Sequence, residues 1–166
     1  FLKTMKKFTL PKDGGLIEAG LPEGILHSYE RIPAHIFEDE DIASADLAEV
    51  IIRAINGSYG IFRLGLTTGS SPVSLYRELV RRHKAGDVSF ENVEIFSIDE
   101  YYPAPPPSQS RNNRLYEELI SKIDVKHDNV HVPRYDEVKS TVTESNAAFD
   151  KMAKGLDLLV MGVGEQ

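Results

Sequence analysis

The sequence has no cysteine among its 166 residues. Thiol catalysis, a disulfide framework and any zinc site built on cysteine are therefore excluded. The sequence also lacks an apolar run close to the ~18–20 residues that a transmembrane helix requires. Its N-terminal segment shows no apolar stretch followed by a small-residue cleavage site, so no secretion signal is visible and we expect a cytoplasmic location.

The sequence also has fewer basic than acidic residues. The chain carries 19 lysines and arginines against 26 aspartates and glutamates, which gives a net charge of −7. Because no basic stripe is present either, the chain is a poor candidate for binding nucleic acid or an anionic membrane. Hydrophobic residues make up 41% and charged residues 27% of the sequence, as in a soluble globular protein whose single domain can bury a core.

The two ends of the sequence predict how it is organised. It begins at Phe1 rather than Met and stops at Gln166, directly after an apolar run and a Gly-x-Gly. We expect a piece of a longer protein that is incomplete at its C-terminus. Residues 1–30 have no clear period and are predicted to form an N-terminal arm, whereas residues 31–166 are predicted to form an α/β domain.

From residue 31 onward, apolar runs alternate with segments of helical spacing. The apolar runs predict strands, the last of them buried on both faces, at Arg31–Phe37, Gly60–Leu66, Val93–Ile98, Val130–Val132 and Leu156–Met161. Helical spacing and boundary residues predict helices at Asp41–Asn56, Pro72–Ala85, Asn112–Lys122 and Asp136–Lys154. Four prolines within Pro103–Pro107 require a loop. This alternation predicts an α/β fold with a mostly parallel sheet and helices on both faces.

Ligands of such sheets bind at the carboxyl ends of the strands, so the loops after Leu66, Ile98 and Met161 are the candidate sites. The first loop joins a strand to a helix start through Thr68, Gly69, Ser70 and Ser71. Free N–H groups and hydroxyls at the positive end of a helix suit a phosphate group. The alternative is a simple helix cap. The loop lacks the Gly-Lys-Ser/Thr and Gly-x-Gly-x-x-Gly patterns, which disfavours ATP and dinucleotides.

The other two loops carry acids and glycines. Asp99 and Glu100 end a strand at the same predicted edge, where a carboxylate can abstract a proton next to a carbonyl. The alternative is an acidic loop opening or a helix cap. Gly162 and Gly164 follow the last strand, where they allow close approach of a ligand or simply form a tight turn. Arg111 and Arg114 can face a phosphate, although such arginines are more often solvated.

Four segments together resemble one known family. In order along the chain they are Leu64–Pro72, His83–Phe90, Phe96–Tyr101 and Asp157–Gly164, and the similarity extends over roughly residues 31–166. By this combination the chain resembles the glucosamine-6-phosphate deaminase/isomerase family. The related 6-phosphogluconolactonases share the fold and the first loop. They typically have Asp-Glu-Arg where this chain has Asp99-Glu100-Tyr101, which favours the deaminases.

The resemblance implies a Rossmann-like open sheet and a sugar-phosphate substrate held by the loop from Thr68 to Ser71. It implies that Asp99 is the general base of an aldose–ketose isomerisation with deamination, yielding fructose 6-phosphate and ammonia without a redox cofactor or a metal. Glu100 and Tyr101 would support the site, with Gly162 and Gly164 lining it. The resemblance also implies assembly into homo-oligomers.

One position departs from the family pattern. Gln166 stands where the family has an aspartate, and the ring-opening histidine, a later glutamate and the basic phosphate ligands of the family are absent from this sequence. We therefore expect the chain as given to be inactive or to bind only weakly. Two alternatives stay open: a sugar-phosphate-binding protein that has lost catalysis, and a lactonase.

Overall fold

The computed structural model describes residues 35–133 and 141–162. Its four α-helices are α1 (Glu40–Asn56), α2 (Val73–Lys84), α3 (Arg111–Glu118) and α4 (Val142–Met152). Its four strands are β1 (Phe62–Leu66), β2 (Val93–Ser97), β3 (Val130–His131) and β4 (Leu158–Val160). They form one sheet in the order β3-β2-β1-β4, and every pair is parallel. In the centre of the sheet, Leu64 lies opposite Ile95 on one side and Leu158 on the other.

One face of the sheet packs against the first three helices. Alternate residues of β1 and β2 point to this face, as the two-residue period of a strand requires. They meet the apolar side chains of α1, α2 and α3 in a single buried core. Its fully buried members include Ala48, Ile51, Leu64, Leu66, Leu79, Phe90, Val93 and Ile95.

The opposite face packs against α4. The ring of Phe96 in β2 stacks on His131 with centroids 4.5 Å apart, and Phe149 of α4 lies edge-on to Phe96 at 6.4 Å. Arg63 of β1 places its guanidinium 4.7 Å from the same ring and donates a 2.6 Å hydrogen bond to the carbonyl of Met152 at the end of α4. Helices therefore cover both faces of a parallel sheet, and the predicted fold class is confirmed.

Position 65 in β1 has room only for glycine, because Leu156 and Leu159 pack closely against it. A Cβ at this position would lie 2.5 Å from Leu159 Cδ1 and 3.0 Å from Leu156 Cδ1. The missing side chain lets the apolar side chains of β4 pack directly on β1. The predicted burial of β4 on both faces is nevertheless wrong, because none of its three residues is buried: Leu158 and Val160 are half-buried and Leu159 is exposed. Leu159 keeps 38% of its surface exposed.

Several predicted boundaries also differ. The strand predicted at Gly60–Leu66 begins only at Phe62, after Gly60 adopts a φ of +108°. The helix predicted at Asn112–Lys122 ends at Glu118, because Leu119 leaves the helical region with φ −130°, and a 3₁₀ turn at Ile120–Lys122 follows. The prediction at Arg31–Phe37 fails for residues 35–37, which form no strand.

The helix predicted at Asp136–Lys154 has its described part at Val142–Met152. It begins after Thr141 because the Thr141 and Glu144 side chains form a capping box with each other's backbone N–H groups. The predicted N-terminal arm, residues 1–30, lies outside the described residues, as do residues 31–34 and 136–140. No helix in the described ranges has the length and apolar character needed to cross a membrane.

Candidate active site

Three loops meet at the carboxyl edge of the sheet, as the strand order requires. The N–H of Thr67 after β1 donates to the carbonyl of Val160 in β4, and the N–H of Ile98 after β2 donates to the carbonyl of Leu66, both at 3.1 Å. A Cβ on Gly162, after β4, would lie 3.7 Å from Thr67 Oγ1. The loop after β1 thus lies between the other two. Because β1 is flanked by β2 on one side and β4 on the other, this is where strand order reverses and where such folds bind ligands.

The loop after β1 presents unpaired donors. Within the described residues, the backbone N–H groups of Gly69, Ser70 and Ser71 and both serine hydroxyls have no hydrogen-bond partner. Gly69 has a φ of +113°, which L side chains rarely adopt, and a Cβ there would meet no atom within 4 Å. The loop is therefore open on the side where a ligand would lie.

A buried tyrosine holds the backbone at the beginning of this loop. Tyr76 of α2 donates a hydrogen bond from its hydroxyl to the carbonyl of Thr67. Burial raises the pKa of this hydroxyl well above its ordinary value, and the nearby charge of Asp99 acts in the same direction. Tyr76 therefore remains a protonated donor that fixes the backbone leading into the open loop.

The start of α2 differs from the other helix starts of the described chain. The starts of α1, α3 and α4 are capped by Asp39, Ser110 and Thr141, whose side chains accept backbone N–H hydrogen bonds. Pro72 precedes α2 without a side-chain cap, and the first turn of α2 has no acidic residue. The simple capping interpretation of Ser71 is thus unsupported, and within the described residues no side chain caps the positive end of this helix dipole.

Asp99 contacts the loop that leads into this helix start. Its Oδ1 accepts a 2.6 Å hydrogen bond from the hydroxyl of Thr68, which joins the loops after β1 and β2. Its Oδ2 forms an ion pair with the guanidinium of Arg111. The Asp99 side chain is 44% exposed, so the carboxylate is held from two sides and still faces solvent.

Glu100 has a different environment from Asp99. Its carboxylate accepts hydrogen bonds from the Ser110 hydroxyl at 2.6 Å and from the N–H groups of Tyr101, Arg111 and Asn112 at 2.9–3.1 Å. Burial acts to raise the pKa of Glu100, but these hydrogen bonds outweigh it and hold the pKa below its ordinary value. Both carboxylate oxygens accept hydrogen bonds from residues at the start of α3, so Glu100 stabilises that helix start.

Arg111 connects α3 to the acidic loop, which is the segment Asp99–Tyr101 after β2. Besides contacting Asp99, its guanidinium lies 4.5 Å from the centroid of the Tyr101 ring and donates a 3.0 Å hydrogen bond to the Tyr101 hydroxyl. The hydrogen bond to Tyr101 raises the pKa of Arg111 above its ordinary value, against partial desolvation and in concert with the Asp99 charge. Three consecutive residues, Asp99, Glu100 and Tyr101, therefore all contact the first turn of α3.

Most of the predicted site residues come together. Thr68, Gly69, Ser70, Ser71, Asp99, Glu100, Tyr101 and Gly162 all lie at the carboxyl edge, whereas Gly164 and Gln166 lie outside the described residues. The sequence interpretation missed that Arg111 and Ser110 contact the acidic loop. The only signal was Ser110 directly before the helix, which is typical of an N-cap. The described residues contain no group of three or more potential metal ligands.

The sequence matches one family model over residues 38–166, described as glucosamine-6-phosphate isomerases/6-phosphogluconolactonase. The chain belongs to this family. It is 36% identical over 135 residues to a glucosamine-6-phosphate isomerase of Candida albicans, covering 79% of this chain and 54% of the relative. It is 40% identical over 104 residues to a glucosamine-6-phosphate deaminase of Hahella chejuensis, covering 61% of this chain and 39% of the relative. The chain therefore spans about half the length of the curated relatives it matches, or less.

Solved structures support the same fold. A monomeric glucosamine-6-phosphate deaminase superimposes with a TM-score of 0.69 at 22% identity, covering 77% of this chain and 54% of that chain. A 6-phosphogluconolactonase from Thermotoga maritima superimposes with a TM-score of 0.58 at 16% identity, covering 70% of this chain and 51% of that chain. Both branches of the family thus share the architecture described above.

Proposed function

We propose that the protein to which this chain belongs is a glucosamine-6-phosphate deaminase that acts in amino-sugar metabolism. The observation that carries the proposal is the pairing of an uncapped helix start with a held carboxylate at one sheet edge. A phosphate on the N–H groups of residues 69–71 would place the sugar beside Asp99. Membership of the family and the names of the relatives in Candida albicans and Hahella chejuensis support this choice.

In the proposed reaction Asp99 acts on the ring-opened amino sugar. Its carboxylate takes the proton from C2 and returns it to C1, while a second proton passes from the amine nitrogen to O1 through solvent. The electron pair of the C2–H bond moves to C1, so that the C1 aldehyde becomes an alcohol and the C2 amine becomes an imine. Water then adds to the imine, and fructose 6-phosphate and ammonia leave. Phosphate anchoring at a fixed helix start would position the substrate for proton transfer to Asp99.

The other site residues receive supporting roles in this proposal. Thr68 orients Asp99 through its hydroxyl, and Gly69, Ser70 and Ser71 bind the phosphate. Glu100 joins the acidic loop to α3, so we assign it to positioning and leave proton transfer to Asp99 alone. Gly162, Gly164 and Gln166 would line the third side. Homo-oligomeric assembly, a cytoplasmic location and the absence of a cofactor belong to the same proposal.

The direct test uses the full-length protein and two substrates. We expect release of fructose 6-phosphate and ammonia from glucosamine 6-phosphate, and no hydrolysis of 6-phosphogluconolactone, with calorimetric binding recorded on the same sample. Hydrolysis of the lactone alone would replace the proposal with a lactonase. Binding of glucosamine 6-phosphate without turnover would identify a sugar-phosphate-binding protein, which the glutamine at position 166 would then explain.

A further inference from the structure

The two oxygens of Asp99 are held by different parts of the chain. Thr68, after β1, donates to Oδ1 at 2.6 Å, and Arg111, on α3, donates to Oδ2. Each carboxylate oxygen has two lone pairs, so one on each oxygen remains free to accept a proton from a substrate. The contacts therefore fix the plane of the carboxylate without blocking it.

Arg111 is itself held from two directions. The Tyr101 ring stacks on its guanidinium at 4.5 Å, and the Tyr101 hydroxyl accepts a hydrogen bond from it at 3.0 Å. Its backbone N–H donates to Glu100 at 3.1 Å. An arginine whose fork is stacked and hydrogen-bonded loses less freedom when it contacts a carboxylate, and lysine cannot reproduce that geometry.

Stability alone does not account for this arrangement. The side chains of Asp99 and Arg111 are 44% and 32% exposed, and ion pairs this accessible contribute little to folding. What the arrangement fixes is the direction of a carboxylate that lies next to the open loop at residues 69–71. We propose that Arg111, held by Tyr101, is the positioning residue for Asp99. This rests on the proposed function and adds a residue to the same site.

The kinetic test compares variants of the full-length protein with glucosamine 6-phosphate as substrate. We expect Arg111→Gln to lower kcat by about 10- to 100-fold with KM changed less than about threefold, since the loss is one of geometry in the transition state. Arg111→Lys should recover only part of the rate. Tyr101→Phe, which keeps the ring and removes the hydroxyl, should lose less than Arg111→Gln.

The matched control is Arg114→Gln. Arg114 lies one turn after Arg111 in α3 and its side chain is exposed, so this variant should retain wild-type kinetics. A raised KM with unchanged kcat in Arg111→Gln would overturn the proposal, because Arg111 would then bind substrate rather than position Asp99. Equal losses in Arg111→Gln and Arg114→Gln would also overturn it.

A second readout does not depend on turnover. The side-chain carboxyl ¹³C resonance of Asp99, assigned with Asp99→Asn, should shift in Arg111→Gln and stay in place in Arg114→Gln. An unmoved resonance in Arg111→Gln would overturn the proposal whatever the activity. Absence of turnover in the wild type, by contrast, would refute the proposed function and leave the Asp99–Arg111 contact to be decided by this resonance.

Discussion

At the scale of single residues, the loop after β1 leaves several hydrogen-bond donors without a partner among the described residues. Gly69 turns the chain at φ +113°, Tyr76 holds the carbonyl of Thr67, and the N–H groups and hydroxyls of Ser70 and Ser71 have no hydrogen-bond partner in the described residues. No carboxylate lies in the first turn of α2 to offset the helix dipole. An anion bound here would supply the charge that the sequence omits.

A carboxylate introduced at the start of α2 should therefore preserve or increase the stability of the fold while it weakens binding of the sugar phosphate. In Ser71→Asp we expect the free energy of unfolding to hold or rise by about 0.3–1 kcal/mol, because the new charge favours the helix dipole. We expect the dissociation constant for glucosamine 6-phosphate to rise by about tenfold or more, because the carboxylate repels the phosphate. Urea unfolding and calorimetry on the full-length protein measure the two effects.

Ser71→Asn is the control for this substitution, since it has the same shape without the charge. If the Asp and Asn variants bind the sugar phosphate equally well, the phosphate does not lie at the start of α2. The capping interpretation of the loop would then return.

At the scale of elements, the acidic loop and α3 act as one unit. Ser110, Arg111, Asn112 and Asn113 all have their backbone N–H groups satisfied, by the carbonyls of Pro106 and Pro107, by Glu100 and by the Ser110 hydroxyl. The buried Ser97 at the end of β2 adds a 2.6 Å hydrogen bond to the side chain of Asn112. The strand end and the helix start therefore keep a fixed separation, which sets where Arg111 meets Asp99.

Glu100→Gln tests this unit through stability. At pH 7 we expect a loss of about 1–2 kcal/mol, because a neutral amide accepts hydrogen bonds at a helix start less well and cannot accept at both ends. The folded-state pKa of Glu100 lies below the unfolded value of 4.5, so its contribution is full above 4.5 and is lost as the pH falls through the folded pKa. The difference between wild type and variant should thus shrink at about pH 3.5.

Urea unfolding at both pH values measures this difference, with Glu117→Gln as the control. Glu117 lies on the exposed side of α3, so its replacement should cost less than about 0.5 kcal/mol. A stability difference for Glu100→Gln that is the same at both pH values would contradict the assigned charge.

The elements themselves were largely predictable from the sequence. Apolar periodicity and terminal residues predicted all four helices and all four strands of the described residues, because these signals are local. Their ends were less predictable where a local signal was overlooked, as with the capping box of Thr141 and Glu144. The exposure of β4 was not predictable, since an apolar run looks the same whether or not other elements pack on both faces of the strand.

The site shows the same division between local and tertiary information. Asp99 and the loop at Thr68–Ser71 follow from the position of each at a strand end. The contact of Arg111 with Asp99, and the four donors on Glu100, depend on how the proline-rich loop returns α3 to the sheet edge. The spacing of residues 99–111 does not predict this path of the chain. Only the structure therefore shows that Asp99 faces the loop after β1 while Glu100 binds the start of α3.

At the scale of the whole molecule, the site arises from strand order. β1 lies between β2 and β4, so the loops that follow these strands open at a single edge with helix α2 starting there. The described residues contribute a helix start without a side-chain cap and a carboxylate held by Thr68 and Arg111. The chain spans about half the length of the curated relatives it matches, or less.

The measurement that tests this account most directly is the effect of Asp99→Asn on the full-length protein. We expect kcat for release of fructose 6-phosphate from glucosamine 6-phosphate to fall by about 10²–10⁴-fold, the range for loss of a general base. Calorimetric binding of the same sugar phosphate should change by less than about threefold, since the phosphate contacts remain. Asp128→Asn, at a fully exposed aspartate outside the site, should behave as wild type. Turnover that survives in Asp99→Asn would contradict the account and remove Asp99 as the base.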